Sequence, residues 1–264
     1  MNQDERRRYL ITELLKENPR YNEIEIPTDI EEQKTLLRGL MNIRMAAPMT
    51  GEFENIQNEY LKECLNEKGI VHIEDLEPVK EGIYLWKGDI TRLATDAVVN
   101  AANSEMTGCY QPNHDCIDNC IHTYAGIQLR NFCQELMDEL KNIYGKFYEE
   151  QTGIAKITPA YNLPCKYVIH TVGPVVKDGN LTAEHEELLR SCYVSCLDIA
   201  ELNELESIAL CCVSTGTYMF PEERAAQIAV ETVNEFKESK QSKMKIIFNV
   251  YRQEDYQAYK AILG

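Results

Sequence analysis

Apolar residues recur at helical spacing through the first part of the chain, and the rhythm changes near residue 80. Over 4–18, Tyr9, Leu10, Ile11, Leu14 and Leu15 stand among charges, the stripe of an amphipathic helix. Thr28 and Glu31 have capping-box spacing ahead of Leu36, Leu37, Leu40 and Met41, which predicts a second helix. A third, over 52–68, carries Ile56, Tyr60, Leu61 and Cys64 on one face and stops at Gly69. From Gly82 onward, short apolar runs at 83–87, 97–100, 153–160, 167–172, 207–213 and 245–251 read as strands. Longer helical patterns at 117–144, 182–202, 221–237 and 255–263 lie between or after them. Apolar strands separated by helices predict an α/β sandwich around a largely buried sheet. The pattern divides the chain into a helical N-terminal extension, 1–80, with no polar constellation of its own, and an α/β domain, 81–264.

Composition narrows the function classes. With 264 residues, 44% apolar and 27% charged, the chain is globular and not disordered. Lys and Arg number 27 against 43 Asp and Glu, a net charge of −16 with no basic tract. That balance argues against sequence-independent binding of nucleic acid, so no nucleic-acid partner is expected. A bound phosphate would have to be met by backbone amides. No apolar run approaches the ~18 residues of a membrane span. The opening MNQDERRRYL sets acids and arginines where a signal peptide would begin its apolar core. The expectation is a cytoplasmic protein without a membrane partner. Ten cysteines in such a chain stay reduced, as buried thiols or metal ligands.

Two turns follow predicted strands. Gly88-Asp89-Ile90-Thr91 follows the first; Ser214-Thr215-Gly216-Thr217-Tyr218 follows the fifth and precedes Pro221-Glu222-Glu223, a helix start with Pro at its first position and acids in the first turn. A Gly-containing turn between strand and helix aims several N–H groups at one point and cradles an anion without any cationic side chain. Either turn alone is weak support for a site, since ordinary turns look the same. In order, however, Gly88 to Thr91, Val99-Asn100-Ala101-Ala102-Asn103, Val168-Ile169-His170-Thr171-Val172-Gly173-Pro174 and Ser214 to Pro221 resemble the motif series of the macrodomain family, over residues 82–264.

The resemblance implies a three-layer α/β/α fold with a mixed central sheet, ADP-ribose as ligand, and in many members hydrolysis of ADP-ribose from modified proteins. It implies that Asp89 accepts from the adenine amino group while Ile90 offers its backbone amide. Ser214, Thr215, Gly216, Thr217 and Tyr218 would wrap the diphosphate. Asn103 would contact the distal ribose, with Tyr218 or Phe220 packed against it, and Tyr251 would stack on adenine. His170, among apolar neighbours in a strand, reads as a core histidine.

A departure follows Asn103. Where most macrodomains are Gly-rich, this chain runs Gly108-Cys109-Tyr110-Gln111-Pro112-Asn113-His114-Asp115-Cys116-Ile117-Asp118-Asn119-Cys120-Ile121-His122. Two thiolates and an imidazole in C-x4-H-x-C spacing suit Zn²⁺ and leave a fourth position open, although free cysteines are also common in cores. Residues 108–126 resemble the zinc-dependent branch of macrodomains, which also carries a helical N-terminal extension. By that resemblance Cys109, His114 and Cys116 hold one Zn²⁺ beside the distal ribose. Cys120 and His122 read as core or supporting residues, and Cys192, Cys196, Cys211 and Cys212 as core. Asp118 aligns with an acid that metal-free hydrolytic macrodomains use near the ribose, and it also suits the first turn of a helix.

The expected activity is therefore zinc-dependent removal of mono-ADP-ribose from protein side chains, with Asn103 and Asp118 catalytic. No Lys or Arg lies in the Cys-His-Cys loop to stabilise a leaving group, which favours an Asp or Glu linkage over Arg. The alternative is a non-catalytic ADP-ribose reader with a structural zinc, for which a fourth ligand such as Cys120 would speak. A zinc nucleobase deaminase is excluded: it needs H-x-E and P-C-x-x-C, whereas Asp115-Cys116 follow His114 and Pro164-Cys165 lacks a second Cys at that spacing. The zinc-dependent branch further implies a protein partner, a lipoyl-carrier protein modified by a sirtuin-type ADP-ribosyltransferase. The N-terminal helices either shape the pocket rim or cap the sheet.

Overall fold

The computed structural model describes residues 1–264, apart from the side chain of Asp178. Three helices open the chain: α1 (Gln3–Lys16), α2 (Ile30–Ile43) and α3 (Gly51–Lys68). Their apolar stripes meet in a cluster of their own, with Leu10, Ile11, Leu14, Leu37, Leu40, Phe53 and Leu61 buried against one another. Helix α2 is capped by Asp29 and not by Thr28: the Asp29 carboxylate accepts from the N–H groups of Glu31 and Glu32, each at 2.9 Å. The more strongly charged acceptor one residue later wins the cap. The helical reading of the first 80 residues also ends early. After α3 come two short strands, β1 (Val71–His72) and β2 (Pro78–Lys80), so sheet pairing begins before Gly82.

The remainder alternates strands and helices: β3 (Ile83–Lys87), β4 (Leu93–Ala94), β5 (Ala97–Ala102), α4 (Ile117–Ala125), α5 (Ile127–Tyr144), β6 (Ala155–Pro159), β7 (Tyr167–Val172), α6 (Ala183–Leu202), β8 (Ser207–Leu210), α7 (Glu222–Lys240), β9 (Lys245–Val250) and α8 (Gln253–Leu263). The main sheet has the order β2-β3-β9-β8-β5-β7-β6. Its inner pairings are parallel and its two edges antiparallel, so the sheet is mixed, as expected. Strand alternation sorts the faces. In β7, His170 points to Cys133 on α5, while Thr171 lies against Cys192 on α6. Val98, Val99, Val168, Ile169, Ile208 and Ile246 are fully buried because helices cover both faces, giving the three-layer α/β/α fold.

One predicted helix, 117–144, is broken. At Gly126 the backbone turns to φ 96, and a side chain there would meet Gln57, Gln128 and Asn162 within about 3.1 Å. Gln57 of α3 donates to Gln128 and accepts from the Ile127 N–H, so the break is where the N-terminal helices dock. Pro221 caps α7 instead of sitting inside it. No helix is long and apolar enough to cross a membrane.

Candidate functional site

The carboxyl ends of β3, β5, β7, β8 and β9 all open on one side, where ligands of α/β sheets bind. There Asn103, Gly173, the turn after β8 and Tyr251 surround a cleft of about 880 Å³, whose other wall is the loop from Gly108 to Asp118. That volume lies within the ~300–1,000 Å³ usual for small-molecule sites.

The turn after β8 is built from its own backbone. The Phe220 N–H donates to Ser214 O and the Met219 N–H to Gly216 O, both at 3.0 Å. Ser214 and Met219 adopt positive φ values of 67 and 55. This folding turns the amides of Ser214, Thr215, Gly216, Thr217 and Tyr218 away from protein partners: none has one among the described residues. The buried Ser214 Oγ is likewise unpartnered. A row of free amides at the entry to α7 is able to cradle an anion. From outside, Arg252 donates to Thr215 O at 3.4 Å while pairing with Asp255 and Glu222. Its charge is therefore already balanced.

The loop from Cys109 to Cys116 is built differently. Cys109 Sγ lies 3.6 Å from His114 Nδ1, and the donor atoms of Cys109, His114 and Cys116 lie within 4.8 Å of one another. Burial pushes the Cys116 thiol up, with Cys109 and Asp118 adding to the shift. Opposing it, Cys116 caps α4 and accepts from the Asn119 N–H at 3.4 Å, where the helix N-terminus favours a thiolate. This donor set suits Zn²⁺. Cys120 is not part of it; its Sγ sits 3.6 Å from Arg38 Nη2.

Side chains distant in sequence hold this loop. Arg38 on α2 donates to His114 O at 2.8 Å and to Asp115 at 3.1 Å. Asn42, also on α2, accepts from the Asn113 N–H at 2.9 Å and donates to Thr123 at 2.7 Å. The buried Arg130 guanidinium donates to the carbonyls of Met41, Asn42 and Arg44 at 3.0, 2.8 and 2.6 Å. The same group donates to Thr107 O at 2.7 Å and to Cys109 O at 3.4 Å. One cation thus satisfies the open carbonyl end of α2 and ties it to the start of the loop.

Beneath the loop lies a buried polar group. Asn100 donates to Asp118 Oδ1 at 2.8 Å and lies 3.1 Å from His170 Nδ1; His170 Nε2 is 3.0 Å from Thr158 Oγ1. Burial raises Asp118 to about 6, partly offset by the Asn100 hydrogen bond and the charge of Arg130. Burial lowers His170 to about 3, so it is a neutral core histidine with both nitrogens engaged. His122 is buried with neither nitrogen partnered, and its Nε2 is 3.6 Å from Asp118 Oδ1. His122, Cys133 and His170 form a second group of donor atoms within 4.8 Å, closed inside the core.

Of the residues singled out in the sequence, Asn103, Cys109, His114, Cys116, Asp118, Ser214, Thr215, Gly216, Thr217, Tyr218 and Tyr251 line the cleft. Tyr251 is 74% exposed at its mouth. Asn103 bridges strand to loop, donating to Gly108 O at 3.1 Å. Asp89 and Ile90 lie beside the cleft and not in its lining; Asp89 Oδ1 accepts from the N–H and hydroxyl of Thr91. Phe220, expected against the ribose, is 1% exposed and packed in the core, because the turn returns to the sheet at that residue. Cys211 and Cys212, expected as core strand residues, do pack with the core, Cys211 buried and Cys212 partly so, but they lie beyond the end of β8 and also reach the cleft wall. Asn249, Arg252 and Asp255 also line it, unmarked by any motif.

A family profile described as Macro domain matches residues 99–229. A curated protein of Treponema medium named Protein-ADP-ribose hydrolase is 51% identical over 268 residues, covering all of both chains. One of the same name from Staphylococcus aureus (strain MSSA476) is 43% identical over 253 residues, 96% of this chain and 92% of that protein. Among solved structures, the Trypanosoma brucei macrodomain in complex with ADP-ribose superposes with a TM-score of 0.65 at 30% identity, covering 86% of this chain and 95% of that one. With the fold, the motif order and a full-length relative in agreement, the chain belongs to the Macro domain family.

Proposed function

We propose that this chain is a zinc-dependent hydrolase that removes mono-ADP-ribose from modified protein side chains, with Asp- or Glu-linked ADP-ribose as its substrate. The observation that carries the reading is that a row of free amides and a Cys-His-Cys donor set open into one cleft. The two curated relatives, at 43% and 51% identity, are named as hydrolases of this kind.

In this reading Asp89, fixed by Thr91, and Ile90 take the adenine edge, with Tyr251 stacking on the ring. The amides from Ser214 to Tyr218 hold the diphosphate. Asn103 and Tyr218 bound the distal ribose, while Phe220 supports Tyr218's turn from below. A Zn²⁺ held by Cys109, His114 and Cys116 would supply Lewis acidity to an oxygen at that ribose. Cleavage exchanges the C1″–O bond to the side chain for one to water. Asp118 takes up the water's proton, and the released carboxylate leaves as a stable anion that needs no cation in the loop. As target, the sirtuin-modified lipoyl-carrier protein is carried over from the family resemblance. Against an acidic carrier a net charge of −16 gives no long-range attraction.

The test is release of ADP-ribose from an Asp/Glu-modified protein before and after zinc is stripped. Release should vanish with the metal and return on adding Zn²⁺. Release indifferent to the metal would leave the chemistry to Asp118 and make zinc structural. ADP-ribose binding without release would make the chain a reader.

A further inference from the structure

Outside the cleft, a groove of about 580 Å³ runs along α2 and meets the Cys-His-Cys loop from its outer side. Leu36, Leu40 and Ile43 form its floor, and Ile24, 40% exposed, forms part of a wall. Glu31 and Glu32 stand on its rim, and Glu23 and Glu25, both exposed, flank Ile24. Lys34 pairs with Glu31 at 2.9 Å, whereas Glu32 has no cationic partner among the described residues. An apolar channel with an acidic rim on one helix face is a surface for a chain segment with matching side chains.

Its position says which segment. Pro112 and Asn113 line both the groove and the cleft, so the two are separated by the thickness of one loop. That loop is where the distal ribose lies in the proposed function, on which this inference rests. The bond to be broken joins that ribose to a protein, so the protein must leave the cleft past this loop. We infer that the groove on α2 receives the polypeptide next to the modified side chain, taking up an apolar residue flanked by basic ones. The apolar floor removes the apolar side chain from water, and the glutamates meet the basic neighbours. Recognition would then be local at the modified site, without any attraction between whole molecules.

Binding tests this independently of turnover. The probes are free ADP-ribose and a peptide bearing ADP-ribose through a non-cleavable link, with leucines beside the modified residue and lysines beyond them. The peptide should bind at least about tenfold more tightly than ADP-ribose, which corresponds to ~1.4 kcal/mol. Replacing its leucines by serine should remove the gain. Leu36→Glu, and the more exposed Ile24→Glu should the first fail to fold, should abolish the gain and leave ADP-ribose affinity unchanged. Glu32→Lys should lower the gain a few-fold for the lysine-bearing peptide alone. Equal affinity for peptide and ADP-ribose, or a gain that survives Ile24→Glu, would overturn the inference while leaving the hydrolase reading intact. Failure of the wild-type chain to bind ADP-ribose at all would overturn both.

Discussion

The turn at 214–218 is closed on itself by the Phe220 and Met219 amides and receives, among the described residues, only two outside bonds, from the Val176 N–H to Tyr218 O and from Arg252 to Thr215 O, whereas the loop at 109–116 is gripped from outside by Arg38, Asn42 and Arg130. The first is a backbone site: free amides are the groups it presents, and its shape comes mainly from its own backbone. The second is a side-chain site: two sulfurs and an imidazole must be brought together, and little in the loop itself does that. Its anchors come from a helix of the N-terminal cluster and from a buried arginine that bridges that helix to the main domain. The N-terminal extension therefore has a task in the site: it holds the Cys-His-Cys wall, while the wall of free amides belongs to the sheet.

If the two walls are independent, they can be broken separately. Cys116→Ala should have the largest effect, at least about a hundredfold loss of ADP-ribose release together with loss of zinc. Next, Arg130→Met strips several buried carbonyls of their donor and should cost ~3 kcal/mol or more of unfolding free energy in urea titrations. Its zinc content should fall with it. Arg38→Ala removes an anchor but no ligand, and should weaken zinc about tenfold in a chelator competition, with ADP-ribose affinity unchanged. A last effect, graded with pH, spares both walls and touches the whole domain. His170 is held at about 3, below its ordinary value near 6.5. The unfolded chain therefore gains a proton that the folded chain refuses, and stability should fall as pH drops from about 6.5 towards 3, by up to ~1.4 kcal/mol per unit. Thermal melts of a His170→Asn variant that still folds should show a shallower decline over that window.

How far the sequence carries follows the same division. The phosphate turn and the C-x4-H-x-C loop were legible because each is contiguous: spacing, glycines and flanking helix starts lie within a few residues. The three-layer fold was legible from strand and helix rhythm for the same reason. Arg38, Asn42 and Arg130 were not, since their partners lie between 21 and 89 positions away and nothing distinguishes them from other polar residues on a helix. The break at Gly126 was hidden because the apolar period runs through it, and the docking of Gln57 decides it. Phe220 was misplaced by one turn of backbone: beside Tyr218 in sequence, it faces the opposite way. Asp29 displaced Thr28 because two capping residues compete at adjacent positions.

The independence of the two walls is tested most directly by a crossed pair of variants. A side chain at Gly173 would collide with Ser214 Oγ and press on Val213, so Gly173→Ala distorts the phosphate turn. Zinc content and ADP-ribose affinity would be measured on Gly173→Ala and Cys116→Ala side by side. The account predicts that Gly173→Ala keeps zinc and loses ADP-ribose, while Cys116→Ala loses zinc and keeps ADP-ribose. Loss of both properties in both variants, with the fold intact, would contradict it.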